Sequence, residues 1–130
     1  MPEFDSHASL ETADRLFHAI EAGEVEALRT IYAADALIWH NADGKTESPE
    51  QNLETLRRFV ALSQSRMYTE IRREPTPRGF VQQHVLRAQL KSGRELALPA
   101  CIICEVRNGR ITRLDEYFDT APLAALRIDP

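Results

Sequence analysis

Apolar residues recur at helical spacing through the first half of the chain and at every second position through the second half. Leu10, Ala13, Phe17 and Ile20 form one helical stripe, with Asp5 or Ser6 placed to cap it and Gly23 to stop it. A shorter helix is predicted from Glu24 to about Tyr32, burying Val25, Leu28 and Ile31. The apolar run Ala36 to His40 reads as a strand, and Asn41-Ala42-Asp43-Gly44 as a turn. Ser48-Pro49-Glu50-Gln51 supplies a cap, a proline at the first helical position and a capping-box glutamine. The helix it opens buries Leu53, Leu56, Phe59 and Val60 and is expected to end near Ser63.

After that helix the period changes to two. Met67 to Glu74 reads as a strand broken by Pro75-Thr76-Pro77-Arg78-Gly79. Phe80 to Lys91, Arg94 to Arg107 and Arg110 to Asp119 follow as three long strands, joined at Ser92-Gly93 and Asn108-Gly109. Thr120-Ala121-Pro122 opens a last short helix through Leu126. Helices followed by consecutive strands imply an α+β fold, with helices on one face of a bent antiparallel sheet around an apolar pocket.

Hairpin arithmetic carries this pattern to a candidate site. If Asn108-Gly109 is a two-residue turn, Ile103 faces Leu114, Cys101 faces Glu116 and Pro99 faces Phe118. If Ser92-Gly93 is another, Leu86 faces Pro99 and His84 faces Cys101. His84, Cys101 and Glu116 then form one row on a face also carrying Leu86, Ala88, Ile103, Leu114 and Phe118. Pro99 stands in this reading as a place where a bulge would shift the register. An imidazole and a carboxylate on an apolar face need partners. Two strands apart, their backbones lie roughly 9–10 Å from one another, within reach directly, through water or through a ligand. Desolvation favours the neutral form of a carboxyl group, which suits proton transfer near neutral pH.

Other chemistries find little footing. Cys101 and Cys104 form a C-x-x-C, but residues three apart on a strand point to opposite faces and do not share a zinc or a disulfide. His7, His18, His40 and His84 show no metal-ligand spacing, and neither a phosphate-binding loop nor a dinucleotide fingerprint occurs, so no metal or cofactor is expected. The 130 residues fit a single domain spanning 1–130, and the hydrophobic fraction of 43% with 28% charged is globular in type. A net charge of -4 without a basic stripe argues against nucleic acid. No apolar run approaches the roughly 18 residues of a membrane span, and Met1-Pro2-Glu3-Phe4-Asp5 lacks the regions of a secretion signal. A cytoplasmic protein is expected.

Tyr32-Ala33-Ala34-Asp35-Ala36 leading into Ile38-Trp39-His40-Asn41, and Ile111 through Asp119 leading into Thr120-Ala121-Pro122-Leu123, give the chain a family likeness. It resembles the superfamily of nuclear transport factor 2, ketosteroid isomerase, scytalone dehydratase, limonene-epoxide hydrolase and SnoaL-like polyketide cyclases. The resemblance implies a cone-shaped fold, N-terminal helices packed on a strongly curved antiparallel sheet that encloses a pocket. The aromatic and asparagine of the epoxide hydrolases are matched by Trp39 and Asn41, although Trp39 lacks the tyrosine hydroxyl. Their Arg-x-Asp falls near His84-Val85-Leu86, where both charged groups are missing. Their final-strand aspartate falls on Glu116, and the base of ketosteroid isomerase falls closest to His40. Alternation lets either His40 or the pair Trp39 and Asn41 face the pocket, not both sets.

Together these readings predict a cofactor-independent enzyme moving protons on a hydrophobic small molecule, of isomerase, cyclase, dehydratase or hydrolase type. Glu116 is the expected acid/base and His84 its partner. Trp39, His40, Asn41, Leu86, Cys101, Leu114 and Phe118 are the expected ligand contacts. The alternative is a non-catalytic ligand-binding or protein-interaction module of the same fold. The second sheet face, read as Leu98, Ala100, Ile102, Cys104, Val106 and Ile111, is apolar too, and a homodimer through that open face is expected to cover it.

Overall fold

A computed structural model describes residues 6–126 of the chain. Helix α1 (Ser6–Ala22) buries Ala13, Leu16, Phe17 and Ile20. Gly23 ends it at φ +74°, the left-handed conformation a glycine adopts without a Cβ penalty. Asp5, the alternative cap, lies outside the described residues. The second helical segment splits into a 3₁₀ turn (Val25–Ala27) and α2 (Leu28–Ile31), with Val25, Leu28 and Ile31 buried. Strand β1 (Tyr32–His40) then runs four residues earlier than its apolar core suggested, and a two-residue strand β2 (Thr46–Glu47) folds back on it.

Helix α3 (Pro49–Leu62) starts as its sequence requires. The Ser48 side chain accepts from the Gln51 amide, and the Gln51 side chain accepts from the Ser48 amide. Four long strands follow: β3 (Ser63–Thr76), β4 (Gly79–Leu90), β5 (Glu95–Arg107) and β6 (Arg110–Phe118), before a 3₁₀ segment (Ala121–Leu126). Asn108 and Gly109 turn the last hairpin with positive φ at both positions, which matches the twist of the flanking strands.

The expectation of a strongly curved, wholly antiparallel sheet is corrected. The six strands run in the order β2-β1-β6-β5-β4-β3, and β1 lies parallel to β6. The sheet is therefore mixed, and it is open, neither closed nor strongly curved. Its end strands, β2 and β3, do not pair with each other. Helices perform the enclosing that curvature was expected to perform: α1 lies against β3 and β4, and α3 against β1.

The inferred strand register is corrected as well. Leu90 and Arg94 close a three-residue loop with Gly93 at φ +92°, so His84 pairs with Ala100 and Leu86 with Leu98. A β-irregularity between Glu105 and Val106 shifts the other side, so Ile102 faces Glu116 and Cys104 faces Leu114. Pro99 causes neither shift. It pairs with Val85 in an unbroken ladder and lies one residue beyond the last β5–β6 pair, where the strand has an open side.

The two corrections invert β5 alone. Leu98, Ile102 and Cys104 belong to the helix-covered core, whereas Ile103 is 43% exposed on the other face. Burying one such aliphatic side chain is worth about 1.5–3 kcal/mol, so the inward set of β5 anchors the helices to the sheet.

Candidate functional site

Between the sheet and its helical cover lies a cavity of about 540 Å³. Ile38, Leu86, Leu98, Ile102 and Leu114 form its floor; Leu16, Phe17 and Ile20 come from α1, and Leu56, Phe59 and Leu62 from α3. Leu123 and Leu126 of the terminal turn complete the apolar wall. Such a chamber suits a small hydrophobic molecule.

One part of the wall is polar. His40 and Glu116 are directly paired residues on the parallel strands β1 and β6, so their side chains leave the same face together. His40 Nε2 lies 3.2 Å from Glu116 Oε1, and His40 Nδ1 lies 3.7 Å from Glu47 Oε1. Both His40 and Glu116 are largely shielded, with 20% and 18% of their side chains exposed. Burial opposes charge on His40, but the hydrogen bond to Glu116 and the charges of Glu116, Glu47 and Asp43 outweigh it. The His40 pKa is consequently held above the ordinary histidine range.

Glu47 is itself fixed by its surroundings. Asn52 Nδ2 donates to Oε1 at 3.1 Å and the Thr55 hydroxyl donates to Oε2 at 2.6 Å. The buried Tyr32 hydroxyl donates to Asn52 Oδ1 at 2.7 Å, which orients that amide so that its nitrogen faces Glu47. A directed series of hydrogen bonds thus runs from Tyr32 through Asn52 to Glu47, whose carboxylate looks onto His40.

The sequence of this chain matches the profile of the SnoaL-like domain family over residues 13–114. The chain belongs to that family. No curated relative matches the SnoaL-like chain. Among solved structures it is similar to PrhC from Penicillium brasilianum, at 11% identity and a TM-score of 0.82, over 93% of this chain and 86% of that one. An LEH-like epoxide hydrolase of M. tuberculosis aligns at 15% identity and a TM-score of 0.75, covering 92% and 88%. IdmH from Streptomyces antibioticus aligns at 22% identity and a TM-score of 0.75, covering 92% and 99%. At these identities the likeness shows the fold, and it agrees with the superfamily resemblance drawn from the sequence.

Within the SnoaL-like chain, Glu116, His40, Leu86, Leu114 and Phe118 all line the cavity. Trp39 does not share their face; its ring packs edge-on against Tyr117, with centroids 5.1 Å apart. Asn41 brackets the Phe118 backbone, donating to its carbonyl and accepting from its amide, both at 3.0 Å. Alternation along β1 therefore selects His40. Cys101 pairs with Tyr117 across the outer face, while Cys104 is buried inside, so the C-x-x-C is split as its spacing required.

The single row of His84, Cys101 and Glu116 is corrected to two neighbouring rows, His84–Ala100–Phe118 and Gln82–Ile102–Glu116. His84 shares the inner face with Glu116, but its contacts are elsewhere. Its ring meets the rings of Tyr68 and Phe17 edge-on, at centroid distances of 4.7 and 5.6 Å. Arg73 donates from Nε to Gln82 Oε1 at 2.6 Å, so the Gln82 amide nitrogen faces His84 Nδ1, 2.9 Å away. Nδ1 is then the acceptor and Nε2 carries the proton. Burial pushes the His84 pKa down to about 4 against the opposing pull of Glu116, with the Arg73 charge lowering it further.

Sequence reasoning missed Glu47, Asn52, Thr55, Tyr32 and Tyr68. One signal was available. Asn52 and Thr55 sit beside Leu53, Leu56 and Phe59 on the buried side of α3, and polar residues in such a stripe need partners. Glu47 offered no such signal, standing in a two-residue strand next to a helix cap.

Proposed function

We propose that the chain acts as one domain that binds a small hydrophobic molecule and moves protons on it without a cofactor, through Glu116 and His40. The carrying observation is the His40–Glu116 contact at 3.2 Å on the wall of an otherwise apolar cavity. Glu116 accepts a proton from the bound molecule. The His40 imidazolium, stabilised between Glu116 and Glu47, balances the negative charge that develops and returns a proton at a second atom. Removing a proton at one position and returning it at another serves isomerisation, ring closure and elimination alike. The similarity to an LEH-like epoxide hydrolase supports an enzymatic reading and adds hydrolysis to the same class. Among the described residues, no group of three or more His, Cys, Asp or Glu is arranged to hold a metal ion.

Native mass spectrometry of the purified protein identifies the molecule that occupies the cavity, and incubation in D₂O reports turnover or hydrogen exchange on it. Glu116→Gln and His40→Gln are expected to slow either signal by about 10²-fold or more while retaining the ligand. Unchanged turnover in Glu116→Gln would remove that residue from the mechanism. Recovery of the ligand chemically unchanged from the wild-type protein, without exchange, would make the cavity a binding site only.

The outer sheet face supports a homodimer as the assembled form. Leu37, Met67, Ile71, Ile103 and Tyr117 are each more than 40% exposed there, and Trp39 packs beside Tyr117. These residues replace the set read from the sequence, whose β5 members turn inward.

A further inference from the structure

Two tyrosines stand in the wall of the cavity, and they differ in one respect. The Tyr32 hydroxyl is buried and donates to Asn52. The Tyr68 hydroxyl, on a residue only 9% exposed, makes no hydrogen bond with any described residue, yet it is not among the sealed polar atoms that lack a partner. It therefore opens onto the cavity that Tyr68 lines. A shielded hydroxyl without an acceptor is costly, and a ligand atom is the partner this position lacks. Burial and the nearby Glu116 charge push the phenol well above its usual pKa, so it stays a donor at any working pH.

Its strand is not that of the acid/base pair, although the phenol reaches near enough to feel the Glu116 charge. Tyr68 shares a row with Leu86 and Leu98, whereas Glu116 shares one with Ile102. The two residues thus stand on strands β3 and β6, three strands apart in the sheet order. Behind Tyr68 lies His84, whose Nε2 is also buried without a partner.

We propose that Tyr68 is a ligand-recognition residue, donating its hydroxyl hydrogen to a neutral oxygen acceptor, a carbonyl or ether, on the hydrophobic molecule. The ligand is accordingly an apolar skeleton that carries an oxygen acceptor. The inference rests on the cavity's being a ligand site, as in the proposed function, but not on the chemistry assigned to Glu116.

1-Tetralone and tetralin share a bicyclic skeleton and differ by one carbonyl group, and their affinities for the full chain are measured by NMR titration. Wild-type protein is expected to prefer the ketone. Tyr68→Phe, which keeps the ring against Phe17 and His84, is expected to weaken 1-tetralone about fivefold and to leave tetralin unchanged. Glu116→Gln is expected to preserve the ketone preference, even where it abolishes turnover. An unchanged 1-tetralone affinity in Tyr68→Phe overturns the proposal, as does an equal loss for both probes or a preference lost in Glu116→Gln instead. Failure of either probe to bind wild-type protein also overturns it. Normal turnover by Glu116→Gln with the Tyr68 effect intact would refute the acid/base reading alone.

Discussion

His84 makes the stability of the protein depend on pH in a way that one substitution isolates. Its pKa is pushed down to about 4 by burial, against about 6.5 in an unfolded chain. Between these values the unfolded chain binds the proton more tightly than the folded one, so stability falls as pH falls. The contribution is intact above pH 6.5 and is lost progressively toward pH 4. Linkage gives a loss of about 2 kcal/mol by pH 5 and about 3 kcal/mol by pH 4. His84→Gln removes the titration and keeps an acceptor for the Gln82 amide, which donates to His84 Nδ1 at 2.9 Å. Urea unfolding of both proteins at pH 7, 5 and 4 gives two stability curves. The surface carboxylates and His40 are common to both and cancel in the difference. Wild type is expected to lose about 2 kcal/mol more than the variant by pH 5 and about 3 by pH 4. Curves that run parallel from pH 7 to pH 4 would show that His84 is not held neutral, and the burial argument would fall.

His40 is expected to titrate above the ordinary histidine value in an NMR pH series, and to drop in Glu116→Gln, where its hydrogen-bonded carboxylate is gone. Its stabilising contribution has the opposite sign to that of His84: it is complete below about pH 6.5 and disappears as pH rises through the elevated folded value. Ser48→Ala removes the side-chain acceptor of the capping box and is expected to cost about 1 kcal/mol in denaturant unfolding without altering the His40 titration. Sedimentation at micromolar concentration is expected to show a dimer that Ile103→Lys with Tyr117→Arg converts to a monomer; a monomeric wild-type protein would refute the assembly.

Alternation and capping are local, and so the long strands, the Asn108-Gly109 turn and the start of α3 at Ser48 were legible from the residues alone. The parallel pairing of β1 with β6 was not, because nothing in either segment encodes the direction of a neighbour some 75 residues away. The register shows how errors of this kind interact. A three-residue loop before Arg94 and an irregularity after Glu105 each moved β5 by one position. Between β4 and β6 the two displacements added to two residues, which changes the row but not the face, so His84 and Glu116 stayed on their inferred face while Cys101 and Ile103 went to the other. Glu116 was thus reached through an error that preserved its face. His40 stayed undecided because alternation supplies two faces without saying which is inward, and Glu47 stayed hidden because its partners come from α3.

Since the roof, not a curled floor, bounds the chamber, its volume is set by side chains that take no part in sheet pairing. Leu56, Phe59 and Leu123 can be shortened or lengthened while the strand ladder that holds His40 beside Glu116 keeps its register. Substitutions in that roof would change which guest the chamber admits and leave the His40–Glu116 contact in place.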